Sequence, residues 1–282
     1  MLMKTVKLIA LDLDGTIVRE DQSISEEDRI AIGRAQNAGV AVVIATGRIF
    51  PTAAAWLGRL HTNAPVICCN GADIRQGGIS IFEKPIEQEQ LKTAYHAMEK
   101  YRALLYAFCG DHVYCTKQDY NETLFKKWGF YDAISNLVVY CADLDEILLK
   151  VRGNAAKFLV STLDESLHDA ILQEARSLPY FDMMKGEAMN FELVQKGVSK
   201  GAGLTAIAQM LGVDMQDTIA IGDSTNDLEM IRDAGVGIAM GNAMPEILDV
   251  ADDVTAPIWQ NGVARAINKY VFGEDSKSIS AV

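Results

Sequence analysis

Two aspartates stand one residue apart at the end of an early apolar run, LIALDLDGT, where their types and spacing suggest chemistry. Residues i and i+2 of a strand point to one side, so Asp12 and Asp14 would share the carboxyl end of a strand, where open α/β sheets bind ligands. Two close carboxylates repel each other and favour a cation between them. A capped strand end with a turn is the alternative. It explains one aspartate and Gly15, but not both acids.

A second apolar run, VVIATGR, ends in Thr46, Gly47 and Arg48. A small hydroxyl beside a glycine offers side-chain and backbone donors to an anion. N-capping of the next helix by Thr46 explains the threonine equally well. On its own, this segment leaves an anion site and a helix cap both open.

Lys200, in GVSKG, stands where a helix would begin and where a positive charge opposes the helix dipole. This position favours a bound anion over a structural role. The alternative is a solvated lysine, and the neighbouring Lys196 is the residue most easily mistaken for it.

Two further acids follow the buried run DTIAIGD. A strand there would deliver Asp223 to the same edge as Asp12, and Asp227 would lie in the first turn of the next helix. Hard oxygen ligands from separate loops suit Mg2+. Asp227 alone would also be explained as a partner of the helix dipole. That interpretation does not account for Asp223 and Asp227 together at this spacing.

These motifs together resemble the haloacid dehalogenase superfamily of phosphohydrolases: DLDGT, then ATGR, then Lys200, then GDSTND. The NGA at 70–72 and GVSKG look like its Cof-type sugar-phosphate phosphatases. A large insertion falls between the second and third motifs, where this superfamily carries a C2-type (C2B) cap. The resemblance covers essentially the whole chain.

The resemblance implies a Mg2+-dependent phosphatase acting on a small phosphorylated metabolite, a sugar phosphate or a phosphorylated cofactor. It makes Asp12 the nucleophile that becomes an aspartyl-phosphate and Asp14 the general acid and base. The implied Mg2+ ligands are Asp12, the Asp14 backbone carbonyl, Asp223 and Asp227. The implied phosphate-binding residues are Thr46, Gly47, Lys200 and Asn226, with Arg48 reaching the substrate.

The segments that must position these residues alternate strand and helix. Apolar runs at 6–13, 40–47 and 64–72 are typical of strands buried on both faces. Ser25 would cap a helix ending at Asn37. Alternation of this kind implies parallel pairing in a doubly wound, Rossmann-like α/β sheet.

The same pattern returns after Val194. It predicts a helix closing on Gly212, a strand at 217–223, a helix from Ser224 to Gly235, a strand at 236–240 and a helix at 262–271. The last ten residues, 273–282, are predicted to be a frayed tail.

Between about 77 and 190 the strands are shorter and mix polar with apolar residues, as in an antiparallel sheet covered on one face. The predicted strands are 79–86, 104–108, 112–116, 156–162, 180–184 and 189–194, with helices at 87–101 and 164–177. We therefore expect a catalytic core of residues 1–80 and 194–282 and an inserted α+β cap of residues 81–193. Residues 180–192 are candidates for substrate specificity.

The overall composition limits the partners. The chain has 282 residues, 49% of them hydrophobic, and a formal net charge of −12. This charge disfavours nucleic acid and anionic membrane as partners, and no apolar run approaches the roughly 20 residues that a membrane helix needs. Five cysteines without a CxxC pair suggest reduced thiols. With no signal peptide recognised, we expect a cytoplasmic protein.

Two other functions remain as alternatives. A phosphomutase with the same core would return the phosphoryl group to a sugar and not to water. A non-catalytic module would bind a phosphorylated metabolite without turning it over, although such a module has no need of both Asp12 and Asp14. Product identity separates the three functions.

Overall fold

The computed structural model of the protein describes residues 5–116, 134–162, 164–185 and 189–274. The chain forms two compact units. The first contains Met1–Gly47, Ala53–Ile81 and Ser199–Val282, and the second contains Arg48–Thr52 and Phe82–Val198. The predicted tail lies outside the described residues from position 275 onward, as do residues 186–188 within the predicted specificity segment.

Strands and helices alternate through much of the described chain. The strands are β1 (Leu8–Leu11), β2 (Ala41–Ala45), β3 (Val66–Cys68), β4 (Asp73–Gln76), β5 (Ile79–Glu83), β6 (Leu104–Cys109), β7 (His112–Thr116), β8 (Val138–Cys141), β9 (Lys157–Ser161), β10 (Phe181–Lys185), β11 (Asn190–Gln195), β12 (Thr218–Gly222), β13 (Val236–Ala239) and β14 (Asp253–Val254). The α-helices are α1 (Glu26–Asn37), α2 (Phe50–Arg59), α3 (Gln88–Glu99), α4 (Leu144–Val151), α5 (His168–Ser177), α6 (Lys200–Leu211), α7 (Leu228–Asp233), α8 (Pro245–Leu248) and α9 (Gly262–Phe272).

The sheet of the first unit has eight strands in the order β14-β13-β12-β1-β2-β3-β4-β5. From β14 to β3 neighbouring strands are parallel, and β4 runs antiparallel to β3. The central strand β1 is fully buried, as its uninterrupted apolar sequence LIAL predicts for a parallel sheet covered on both faces. The predicted doubly wound α/β core is confirmed.

Apolar side chains from α6 and α7 pack against the strands in one cluster. Its members include Leu8, Val43, Ile67, Leu204, Ile207 and Met230. The ends of the helices follow their capping residues. Ser25 caps α1 by accepting the Asp28 N–H. Helix α6 begins after Ser199 and ends at Leu211, with Gly212 as its C-cap.

The predicted end of the helix after Ser224 is wrong by two residues. Ser224 caps a short 3-10 turn, Thr225–Asp227, that continues into α7. The helix stops at Asp233 because Ala234 already has extended backbone angles, so Gly235 lies beyond the cap.

The second unit has a six-stranded sheet in the order β10-β11-β9-β6-β7-β8. The described pairs are antiparallel except β7 and β8, which are parallel. Alternate residues of β6, β9 and β11 share one apolar cluster with α3, α4 and α5. This one-sided packing explains the mixed polar and apolar strand sequences.

Only the first part of the segment 79–86, predicted as a strand of the insertion, belongs to the first sheet; Ile86 bridges to Ala155 and packs in the apolar cluster of the second unit. In the first sheet β5 (Ile79–Glu83) is the edge strand next to β4. Gly77 and Gly78 join the two strands, so the nearest partner in sequence is also the partner in space. The mixed pattern that suggested the insertion comes from an exposed edge, where Ile79 is 72% exposed.

Apart from the segment Arg48–Thr52, the chain passes between the compact units at residues 81–82 and 198–199. The roles of residues 1–80 and 194–282 as a catalytic core, and of 81–193 as a cap, stay predictions. None of the helices in the described part of the chain has the length and hydropathy to cross a membrane.

Asp28 links the two helices α1 and α9. Its side chain is buried, accepts the Ser25 hydroxyl at 2.6 Å and accepts the Ala264 N–H at 2.7 Å. Ala264 lies in the first turn of α9, where the helix cannot satisfy its own N–H groups. Burial raises the pKa of Asp28, although these hydrogen bonds oppose the rise.

We expect Asp28→Ala to lower the free energy of unfolding by about 1–3 kcal/mol, because it leaves a buried N–H without its acceptor. Urea denaturation measures this change. Glu27→Ala is the matched control, since Glu27 is exposed in the same turn and should change stability by less than about 0.5 kcal/mol. Equal effects of the two substitutions would contradict the role given to Asp28.

Candidate active site

The site lies at the carboxyl edge of the eight-stranded sheet. Three neighbouring strands, β12, β1 and β2, are parallel and end together, so the residues that follow them emerge at one edge. The backbone continues the ladder there: the Asp12 N–H donates to the Ile221 carbonyl at 3.0 Å and the Thr46 N–H to the Ile67 carbonyl at 2.8 Å. This edge is where open α/β sheets bind ligands.

Three carboxylates meet at this edge. Asp12, Asp223 and Asp227 each place one oxygen within 4.8 Å of the others. Thr16 Oγ1 donates to Asp223 at 3.1 Å. The backbone N–H groups of Asp223 and Ser224 both donate to Asp227 Oδ2 at 3.0 Å. Asp227 therefore caps its own helical turn while its other oxygen faces the cluster.

Lys200 is the cation of this cluster. Its side chain is only 1% exposed, and its Nζ lies 2.6 Å from Asp12 Oδ1 and 2.6 Å from Asp227 Oδ1. The lysine is the first residue of α6, where a positive charge gains nothing from the helix dipole. The two buried carboxylates thus hold the ammonium in a place that the helix itself disfavours.

Burial dominates the electrostatics of the site. It raises the pKa of Asp12 well above its usual range, and repulsion from Asp227 adds to the rise against the pull of Lys200. Burial and Asp227 together raise the pKa of Asp223 to about 6. Burial alone would lower the pKa of Lys200, but attraction to Asp12 and Asp227 outweighs it and leaves that pKa raised.

These groups fit a divalent metal ion. One ammonium faces three carboxylates, so a site with all of them ionised carries excess negative charge. Hard carboxylate oxygens, here from the segments that follow β1 and β12, are the ligands that Mg2+ and Ca2+ prefer. The aspartates predicted from the sequence can therefore bind a metal cation in addition to pairing with Lys200.

Asp14 lies beside this cluster but outside the three-carboxylate group. It is exposed and bridges to Val18 in the turn that follows β1. Gly15 comes next with φ +84, and a Cβ there would lie 2.4 Å from Asp223 Oδ2. Glycine is required at this position because the turn passes directly against the Asp223 carboxylate.

Besides Lys200, the residues predicted to bind phosphate are Thr46, Gly47 and Asn226, and Arg48 was predicted to reach the substrate. The structure brings Gly47 and Asn226 together, since a Cβ on Gly47 would lie 3.7 Å from Asn226 Nδ2. Thr46 is buried directly before Gly47. Arg48 directly follows Gly47 but belongs to the second compact unit, with the segment Arg48–Thr52.

Three polar residues at this edge were not among the predicted site residues: Thr16, Asn70 and Asn242. Asn70 Oδ1 accepts the Asn226 Nδ2 group at 3.0 Å. Asn242 donates to the Gly15 carbonyl at 2.9 Å and accepts the Ile258 N–H at 2.8 Å. Each follows a strand or a site aspartate, which is the sequence signal that would have found them.

Comparisons with known proteins agree with this geometry. The sequence model of a family described as haloacid dehalogenase-like hydrolase matches residues 9–267. A relative from Bacillus subtilis, the 5-amino-6-(5-phospho-D-ribitylamino)uracil phosphatase YcsE, is 29% identical over 94% of this chain and 96% of its own. The stress response protein YhaX of the same organism is 31% identical over 94% of this chain and 93% of its own.

A solved structure of a haloacid dehalogenase-like hydrolase from B. subtilis superposes with a TM-score of 0.82. It is 26% identical and covers 93% of this chain and 99% of its own. The chain belongs to the haloacid dehalogenase-like hydrolase family. Within it the protein is a phosphatase, a phosphoric monoester hydrolase, and the predicted Cof-type resemblance is confirmed.

Replacement of Lys200 by methionine tests the charge balance of the site. We expect Lys200→Met to lower the free energy of unfolding by about 3–5 kcal/mol in EDTA, because breaking a buried ion pair leaves its carboxylates uncompensated. Urea denaturation measures the loss. Lys196→Met removes an exposed lysine four residues earlier and should leave the unfolding curve unchanged. A Lys200→Met protein as stable as the wild type would show that the pairs contribute nothing.

Proposed function

We propose that the protein is a Mg2+-dependent phosphatase that hydrolyses a small phosphorylated metabolite through an aspartyl-phosphate on Asp12. The observation that most directly supports this function is the buried cluster in which Lys200 bridges Asp12 and Asp227 while Asp223 lies beside them. A carboxylate, an ammonium and further acids at one sheet edge suit nucleophilic attack on a phosphate ester.

Magnesium is the proposed cation. The carboxylates of Asp12, Asp223 and Asp227 and the backbone carbonyl of Asp14 are its proposed ligands. When bound, Mg2+ supplies positive charge that offsets the phosphoryl oxygens and so lets an anionic nucleophile approach the phosphorus.

Asp12 is the proposed nucleophile. One of its carboxylate oxygens forms a bond to phosphorus, and the bond between phosphorus and the ester oxygen breaks. Asp14, in its carboxylic acid form, gives its proton to the departing oxygen, so the product is a neutral alcohol. The exposure of Asp14 suits this role, since its side chain must reach a leaving group outside the buried cluster.

Hydrolysis of the intermediate returns the site to its starting state. Asp14, now a carboxylate, accepts a proton from a water molecule as the water oxygen attacks phosphorus. The bond between phosphorus and Asp12 breaks, which restores the Asp12 carboxylate and releases inorganic phosphate. After the two steps Asp14 again holds its proton, and the phosphoryl group has left Asp12 as inorganic phosphate.

The remaining predicted residues position the phosphoryl group. Lys200 holds Asp12 by its ammonium and adds positive charge for the phosphoryl oxygens. Thr46, Gly47 and Asn226 are proposed to donate hydrogen bonds to those oxygens. Arg48 is proposed to reach the substrate.

The insertion and the relatives support the proposed substrate class. Residues 81–193 are proposed to form a cap that excludes bulk water, and segment 180–192 is proposed to contribute specificity. Within the second unit, Glu192 pairs with the buried Lys157, which leaves a fixed polar group on that segment. YcsE is named for a ribityl phosphate compound, and a sugar phosphate, sugar-alcohol phosphate or phosphorylated cofactor is the class proposed here.

Phosphate release from a substrate panel tests the reaction. With sugar phosphates, nucleotides, flavin mononucleotide and pyridoxal phosphate, we expect release in Mg2+ and none in EDTA. Asp12→Asn should abolish it because the nucleophile is gone, and Asp14→Ala should lower turnover by about 10²–10⁴-fold.

Asp249→Asn, an exposed aspartate of the first unit, is the control and should retain normal turnover. Normal turnover by Asp12→Asn would disprove the proposal. Isomerised sugar phosphate without free phosphate would identify a phosphomutase, and binding without any product would identify a sensor.

Thermal unfolding tests the metal independently of activity. A ligand that binds the native state at 100 times its Kd adds about 2.7 kcal/mol of stability. We therefore expect saturating Mg2+ to raise the Tm of the wild type above its value in EDTA. Asp223→Asn should lose most of this rise and Asp249→Asn should keep it. An identical Tm in Mg2+ and EDTA would contradict the proposed site.

A further inference from the structure

The chain turns sharply after β3, at a place that the proposed chemistry does not use. Cys69, Asn70 and Gly71 have φ values of +50, +58 and +102, so three successive residues lie in the left-handed region. Such backbone costs free energy for a residue other than glycine, least for asparagine and aspartate, and persists where the surroundings enforce it. Asn70 occupies the middle of this turn and is 1% exposed.

The turn contacts each of the proposed phosphate-binding segments. The Asn70 N–H donates to the Thr46 carbonyl at 3.0 Å. A Cβ on Gly47 would lie 3.1 Å from Asn70 Oδ1. A Cβ on Gly71 would lie 2.2 Å from the Ser199 carbonyl oxygen, directly before Lys200, so only glycine permits this approach.

The side chain of Asn70 contacts the remaining segment. Its Oδ1 accepts the Nδ2 group of Asn226, 156 residues away in sequence, at 3.0 Å. Asn226 is half-buried and the amide of Asn70 is buried behind it. One hydrogen of the Asn226 amide is thereby committed to Asn70, which fixes the plane of the amide and the direction of its second hydrogen.

We propose that Asn70 is a positioning residue that orients the Asn226 amide toward the phosphoryl oxygens. The Asn70 amide oxygen accepts from Asn226, so Asn70 acts on the phosphoryl group through the Asn226 amide. This inference rests on the proposed function, in which Asn226 binds those oxygens.

The test is a double-mutant cycle between Asn70→Gly and Asn226→Ala. Glycine removes the amide of Asn70 without straining the left-handed backbone. Loss of one hydrogen bond of ordinary strength predicts a fall of about tenfold in kcat/KM for Asn70→Gly. The fall should appear mainly in kcat, because donors to the transferring oxygens matter most in the transition state.

Coupling is the decisive readout. If Asn70 acts through Asn226, then Asn70→Gly should cost nothing further in the Asn226→Ala background. A residue that only supports the fold would give the same fold-loss in both backgrounds. The assay uses the best substrate of the panel and p-nitrophenyl phosphate, with the inhibition constant of inorganic phosphate as a second measure of phosphoryl binding.

Asn261→Gly is the matched control. Asn261 also has a positive φ, +58, and its Oδ1 also accepts a side-chain hydrogen bond, from Arg19 at 3.1 Å. The same substitution there should leave kcat within about twofold of the wild type.

Asn70→Ala is the second variant if Asn70→Gly does not fold. It lacks the same amide but keeps the Cβ that asparagine has and avoids the extra chain entropy of glycine, so its kcat and its coupling to Asn226 should match those expected for Asn70→Gly.

The outcomes separate this inference from the proposed function. Wild-type kcat in Asn70→Gly, or equal losses in both backgrounds, overturns the positioning role while the phosphatase stands. Wild-type kinetics in Asn226→Ala also overturns it, since Asn226 would then make no contribution to turnover and its orientation would not matter. Failure of the wild type itself to release phosphate from the panel would instead remove the proposed function.

Discussion

The buried ammonium of Lys200, held between Asp12 and Asp227, is the interaction on which the site depends. A buried charge is costly unless it is paired, and breaking such a pair costs more than the pair contributes. Asp12 directly follows β1, Lys200 begins α6, and Asp227 lies in the turn before α7. The site therefore exists only when the two sequence-distant parts of the first unit have folded onto one sheet.

The parallel sheet brings these residues together without depending on their polar side chains. Its central strands are buried and apolar, so their register and direction follow from hydrophobic burial and not from the polar residues at their ends. The polar residues then emerge from β12, β1 and β2 at one edge. The turn after β3 extends the same edge, because Asn70 hydrogen-bonds to both Thr46 and Asn226.

Much of this architecture was predictable from the sequence, because uninterrupted apolar runs and capping residues act locally. The strands near 6–13 and 40–47 and the helix capped by Ser25 follow from such signals. The place of β5 was not predictable from composition, since an exposed edge strand resembles a strand of a one-sided sheet. The pairing of Asn70 with Asn226 was not predictable either, because it joins residues whose proximity depends on the tertiary fold.

The electrostatics of the site oppose the stability of the fold. Burial raises the pKa of Asp12 and of Asp223, so their ionised forms are less favourable in the native state than in water. The apolar packing of α6 and α7 on the sheet must offset this cost. In the proposed function, a phosphate ester brings further negative charge to three acids that lie around one ammonium. Charge balance then favours a bound cation in the proposed substrate complex as well as in the proposed reaction.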